Sequence, residues 1–210
     1  MTSLRYITHP QVAIEPDVPV TRWSLSAIGV ERAEAMCRQP WAAEVRRIVS
    51  SDEVKAVQTA EVISRHVGVH VEVRAGIGEN DRSATGFVPP DRFEVLADRF
   101  FASPEESVEG WERAVDAQSR IAAGLADLLE GREGGDEADG DVAVLGHGGV
   151  GTLWWCALAG RPIDRRHDQP GQGHYFTVDR ATRTALHGWR PIDELDPGTG
   201  PSGDRRSRVP

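Results

Sequence analysis

The ten residues Val142-Ala143-Val144-Leu145-Gly146-His147-Gly148-Gly149-Val150-Gly151 constrain this chain more than any other stretch. Four consecutive apolar residues predict a short strand buried on both faces, because a strand with one wet face would alternate. The run breaks at Gly146, and the small and apolar residues from Gly148 to Ala159 predict a helix. His147 therefore stands where a buried strand gives way to a helix N-terminus. Backbone N–H groups are unpaired there and the local field favours an anion. Glycines on both sides let a ligand approach the backbone. A histidine so placed can grip a phosphate or a carboxylate.

The rest of the chain supplies more strands and helices in alternation. Leu4–Thr8 has strand composition and ends at His9-Pro10, where proline holds His9 extended. A second histidine thus lies just past a strand end. After a proline-punctuated loop (11–23), Ser26 can cap a helix to about Arg38, with Ile28, Ala35 and Met36 inward. Arg47–Ser50 reads as a strand. Ser51 or Asp52 can cap the next helix, whose inner face is Ala56, Ala60, Ile63 and Val67, and Gly68 ends it. Val69–Val73 alternates like a strand, and Ala75–Pro90 is an irregular polar loop of the kind that carries function. Asp91–Phe101 is read as helix. Ser107 can cap the longest helix, from about Gly110 to Glu130, striped by Trp111, Val115, Ile121, Ala122, Leu125, Leu128 and Leu129. Glu133–Gly140 is a solvated acidic loop. Tyr175–Val178 and Thr184–Trp189 form a late hairpin around Asp179-Arg180.

This alternation predicts an α/β fold, a three-layer α/β/α sandwich with a mainly parallel central sheet. A length of 210 residues suits one such domain. We expect that domain to span residues 1–192 and to be followed by a disordered tail (193–210) rich in Asp, Gly, Pro, Ser and Arg. In sheets of this kind ligands bind beyond the carboxyl ends of the strands. His9 and His147 both fall on that edge.

Net charge is −9, which argues against nucleic acid as a partner and makes any anion site a local positive spot on an acidic body. No stretch is long and apolar enough for a signal peptide or a membrane span. Cys37 and Cys156 form no C-x-x-C and read as reduced thiols of a cytoplasmic protein. His66, His70, His167, His174 and His187 show no metal-ligand spacing. Gly146–Gly151 also satisfies G-x-G-x-x-G, but the polar loop 161–173 stands where a dinucleotide fold needs a second strand ending in an acid.

In order along the chain, the blocks resemble the histidine phosphatase superfamily, also called phosphoglycerate-mutase-like. Its strand-Arg-His-Gly opening corresponds to Ile7-Thr8-His9-Pro10. Leu25-Ser26-Ala27-Ile28-Gly29 and Ala33 match its second block. Ser50-Ser51-Asp52-Glu53-Val54-Lys55-Ala56-Val57-Gln58-Thr59-Ala60 is close to Ser-Ser-x-x-x-Arg-Ala-x-Gln-Thr-Ala. Glu79 matches an acidic residue after the next strand, and Gly146-His147-Gly148-Gly149 matches the last block. The resemblance implies a phosphatase acting on a small phosphate ester, with His9 as nucleophile, Glu79 as acid/base and His147 as both catalytic group and phosphate donor. Asp81 is a neighbour that could replace Glu79. Thr8 and Lys55 stand at the positions of the two phosphate-binding arginines. The chemistry implied needs no metal or organic cofactor, and the sequence leaves the oligomeric state open.

The departures point to a second reading, a catalytically weak member that binds a phosphorylated ligand. Thr8 removes one bidentate cation. Lys55, the single lysine beside 23 arginines, keeps a charge but not the fork. Pro10 has no N–H to offer. At roughly 1.5–3 kcal/mol per missing charged hydrogen bond, phosphate affinity falls at least about tenfold unless Arg5, Arg22 or Arg82 compensates. A mutase is the third reading. Specificity is expected from segments 11–23 and 82–109, where Trp23 can line the mouth and Phe87, Phe93, Phe100 and Phe101 can form an apolar cap.

Overall fold

The structure, a computed structural model, describes residues 2–130 and 140–196. In chain order the elements are β1 (Ser3–Thr8), α1 (Ala27–Met36), β2 (Val45–Ser51), α2 (Val54–Val67), β3 (Val71–Arg74), α3 (Pro90–Ala102), α4 (Ala114–Leu129), β4 (Asp141–Gly146), α5 (Gly148–Leu158), β5 (His174–Asp179), β6 (Thr184–Ala185) and β7 (Arg190–Pro191). The strands form one sheet in the order β3-β2-β4-β1-β5-β6, with β7 paired to β5. β3, β2, β4 and β1 run parallel, and β5 adds antiparallel to β1. Helices cover both faces, as the alternation of strands and helices requires.

β4 lies at the centre, between β1 and β2, with residues 142–146 all buried. Its side chains alternate between two cores. Val142 and Val144 pack with Leu4, Tyr6, Phe176 and the inner faces of α3, α4 and α5. Ala143 and Leu145 pack with Ile7, Ile48, Met36 of α1, and Ala60 and Ile63 of α2. A wholly apolar run is the only pattern that satisfies both sides. At about 25 cal/mol per Å² of apolar surface, the Val and Leu side chains of β4 each contribute on the order of 1.5–3 kcal/mol.

Several local expectations change. Ser26 does cap α1, its hydroxyl accepting from Gly29 N at 3.1 Å. The helix, however, packs through Gly29, Ala33, Ala35 and Met36, and Ile28 is 61% exposed. α2 is not capped by Ser51 or Asp52. Its N-cap is Glu53, which makes no side-chain capping bond. α4 begins at Ala114 rather than near Gly110, because Glu109 and Gly110 have positive φ (50° and 83°) and cannot be helical. Ser107 donates instead to Trp111 O. Phe100 and Phe101 are core residues rather than a cap. Most of the acidic loop 133–140 and tail residues 197–210 lie outside the described residues. The start of the expected tail is docked on the body. Arg32 pairs with Asp193, Gln39 donates to Glu194 O at 2.6 Å, and Tyr175 donates to Asp196 at 3.0 Å.

Candidate active site

Strand register sets the site. Thr8 pairs with Gly146 across β1 and β4, and Ser50 pairs with Leu145 across β2 and β4. Parallel strands in this register end together, so His9, His147 and Ser51 reach the same edge. His9 is clamped on both sides of its backbone. Its N–H donates to Gly146 O at 3.1 Å, and its carbonyl accepts from Gly173 N at 3.0 Å. The two imidazoles meet edge to face, ring centres 5.4 Å apart. His9 Nδ1 lies 2.9 Å from Pro10 O. A carbonyl can only accept, so Nδ1 carries the proton and Nε2 keeps its lone pair. Proline, which has no N–H to offer, contributes its carbonyl instead. Burial, with the nearby charges of His147 and Lys55, lowers the His9 pKa to about 3.

His147 is fully buried and is the extended N-cap residue of α5. Tyr6 fixes its backbone from β1: the phenol donates to His147 O and accepts from His147 N, both at 3.0 Å. Its Nε2 lies 2.7 Å from Ser51 Oγ and 3.3 Å from Glu53 Oε1. Burial lowers the His147 pKa, opposed by Glu53 and Glu79. Its Nδ1 is buried without a partner, as is Asn80 Nδ2.

The anion site foreseen at the start of α5 is occupied by the protein itself. Glu79 reaches over from the loop after β3. Its Oε2 accepts from Gly149 N at 3.2 Å, and Oε1 accepts from Val150 N at 3.0 Å and Asn80 N at 3.1 Å. Gly149 is required for this approach, since a Cβ there would lie 2.8 Å from Glu79 Oε1. Asp81, the alternative acid, is exposed; its carboxylate accepts from Ser83 N at 2.8 Å, a bond that lowers its pKa.

The two arginine positions behave differently from expectation. Thr8 is fully buried, and its hydroxyl is engaged: it accepts from His174 N at 3.0 Å and donates to Gln169 Oε1 at 2.6 Å. It holds β5 and the 161–173 loop and has no donor left for phosphate. Lys55 does point inward, but its ammonium pairs with Glu53 Oε2 and donates to Val20 O at 2.9 Å. Glu53 was not foreseen from the sequence. Burial pushes its carboxyl up, but His147 and Lys55 outweigh that and hold it near about 2. The only available signal was an acidic residue two before the lysine, and residues two apart on a helix do not face each other.

Of the three arginines that could compensate, Arg5 is paired with Asp141 at the far end of β1. Arg22 is exposed. Arg82 stacks on Phe93 and Trp111, 5.1 and 5.6 Å from the ring centres, and has no ionic partner among the described residues. Trp23, buried, packs on Phe87 with ring centres 5.4 Å apart, joining the two expected specificity segments.

Comparison with known proteins gives one sequence match and several structural ones. The model of the histidine phosphatase superfamily (branch 1) matches residues 14–185, a span that begins after His9. No curated protein sequence matches. A mycobacterial glucosyl-3-phosphoglycerate phosphatase solved with inorganic phosphate is 22% identical, with a TM-score of 0.70 over 90% of this chain and 95% of that one. YhfR of Bacillus stearothermophilus is 20% identical, with a TM-score of 0.69 over 90% and 95%. A phosphoserine phosphatase of Entamoeba histolytica, solved with 3-phosphoglyceric acid, is 16% identical, with a TM-score of 0.68 over 90% and 96%. At these identities the structural likeness is one of fold.

Proposed function

The chain belongs to the histidine phosphatase superfamily, branch 1, and from that premise we propose that it hydrolyses a small phosphate ester through a phosphohistidine formed on His9. The observation that carries this reading is the state of His9. Its Nδ1 proton is tied to Pro10 O, and its pKa is far below neutrality. Nε2 is therefore a lone pair on a neutral ring, ready to attack phosphorus in line without a separate base. As the N–P bond forms, the ester P–O bond breaks and the leaving oxygen takes a proton from the Glu79 carboxyl. Water then attacks the phosphohistidine, Glu79 takes back a proton, and inorganic phosphate and free His9 are restored. His147 donates to the phosphoryl oxygens, and Lys55 supplies charge. No metal or organic cofactor enters these steps.

The neighbours solved with inorganic phosphate and with 3-phosphoglyceric acid are consistent with a small phosphorylated ligand. The acidic charge speaks against nucleic acid. Among the described residues no helix is long and apolar enough to cross a membrane. The free thiols Cys37 and Cys156 fit a cytoplasmic setting.

A second reading, a member that binds a phosphorylated ligand without turning it over, is favoured by two observations. Glu53 neutralises Lys55, and the Thr8 hydroxyl is engaged elsewhere. Hydrolysis of p-nitrophenyl phosphate in the presence of EDTA decides between them. The phosphatase reading expects turnover by the wild type and its loss in His9→Ala. Turnover that survives in His9→Ala rejects it. No turnover, together with a rise in melting temperature on adding phosphate or a phosphoester, establishes the binding reading.

A further inference from the structure

Glu53 is a buried carboxylate that the proposed reaction does not use. It is the non-helical N-cap of α2, with extended backbone (φ −75°, ψ 136°), and it is 6% exposed. Three donors converge on it. Oε1 lies 3.3 Å from His147 Nε2 and accepts from Glu79 N at 2.9 Å, and Oε2 takes the Lys55 ammonium. An ionised carboxylate can only accept, so the tautomer that satisfies this edge of His147 carries its proton on Nε2. Two of these donors, His147 and Lys55, are the groups assigned to the phosphoryl oxygens above. The His147 ring that Glu53 faces lies 5.4 Å, centre to centre, from the His9 ring.

We propose that Glu53 is a specificity-determining residue: its carboxylate occupies the place of a phosphoryl oxygen between His147 and Lys55, and phosphate enters only by displacing it. The inference rests on the phosphate site as assigned above. The Lys55 charge is then cancelled by Glu53, so a free dianion finds no unpaired ammonium there. Inorganic phosphate must separate Lys55 from its partner with nothing but the anion itself. A phosphate ester has a further resource, contacts of its organic part with the expected specificity segments 11–23 and 82–109, and binding energy from a remote group can drive such a displacement. The ligand class is therefore an ester whose organic part makes contacts of its own, and inorganic phosphate is a poor ligand and a weak product inhibitor.

Calorimetric titration of the full chain with inorganic phosphate, at fixed pH and ionic strength, tests this. Glu53→Gln keeps the shape and frees the Lys55 charge, and should bind phosphate at least tenfold more tightly than wild type. The double variant Glu53→Gln/Lys55→Gln should lose that gain. Equal or weaker binding by Glu53→Gln overturns the proposal, as does a gain that survives in the double variant. If Glu53→Gln does not fold, Glu53→Asp replaces it. That variant keeps a partner for Lys55 but withdraws from His147, and should bind several-fold more tightly; unchanged affinity overturns the proposal. Binding is read without turnover, so the two readings fail separately. An inactive wild type with a tight-binding Glu53→Gln sinks only the phosphatase. An active wild type with an unimproved Glu53→Gln sinks only the role of Glu53.

Discussion

Acid should weaken this fold between pH 7 and pH 5, and His9 should account for a defined share of the loss. The His9 imidazole titrates at about 3 in the folded protein against its usual 6.5. Between those values the unfolded chain binds a proton at this site and the folded chain does not, so stability rises with pH. The contribution is complete above 6.5 and is lost as the pH falls toward 3. The slope approaches about 1.4 kcal/mol per pH unit, and integration from pH 7 to pH 5 gives about 2 kcal/mol from this one group. His147, lowered by burial as well, adds in the same direction. Glu53, held near about 2, adds its share only below the ordinary glutamate range. Urea unfolding at pH 7, 6 and 5 and constant ionic strength measures the wild-type slope. His9→Gln, which cannot titrate, should lose about 2 kcal/mol less over the interval. Identical slopes for the two proteins would refute the reasoning, as would a His9 proton resonance that titrates near 6.5. The same shift removes His9 as the source of any acid limb near 6.5 in kcat/KM.

Three further outcomes follow from named contacts. Tyr6→Phe removes the acceptor of His147 N, while His147 O keeps its bond from Gly151 N; one orphaned buried N–H should cost about 1–3 kcal/mol in urea unfolding. Gly29→Ala should destabilise although alanine is the better helix former by about 0.8–1.0 kcal/mol, because its Cβ would lie 2.1 Å from the backbone oxygen of Gln11; a higher melting temperature would show that this loop yields. Thr8→Arg should lower the inhibition constant of inorganic phosphate at least about tenfold by restoring a charged donor, and should lower the melting temperature because His174 N loses its acceptor; an unchanged inhibition constant would remove position 8 from the pocket.

What could be read in advance, and what could not, divides along physical lines. The β4–His147–α5 unit was legible because an unbroken apolar run has few ways to be satisfied, and the sheet buries it on both sides. The stripe of α2 was legible because Ala56, Ala60 and Ile63 are set by one 3.6-residue period. In α1 the cap at Ser26 and the buried Ala35 and Met36 were legible, but Ile28 was misplaced because small residues make the remaining contacts. Gly29 and Ala33 let the helix approach the Gln11 backbone and α2, while Ile28, the most hydrophobic side chain on it, faces out. The start of α4 was missed because only dihedral angles reveal that Glu109 and Gly110 are left-handed.

The charge of the site was the least legible property, and the reason lies in one residue's backbone. Had Glu53 been the first helical residue of α2, its side chain and that of Lys55 would diverge by about 200° around the axis, at 3.6 residues per turn. Lys55 would then face the pocket as a free cation. The helix instead begins at Val54, which leaves Glu53 extended and able to fold back onto both Lys55 and His147. One step in a helix boundary, below the resolution of sequence patterns, thus leaves the Lys55 ammonium paired rather than free. Glu79 does the same to the N-terminus of α5. Motif matching counts the cations present in a pocket. Affinity for an anion depends on those left unpaired, and Lys55, the cation at the matched arginine position, is held by Glu53.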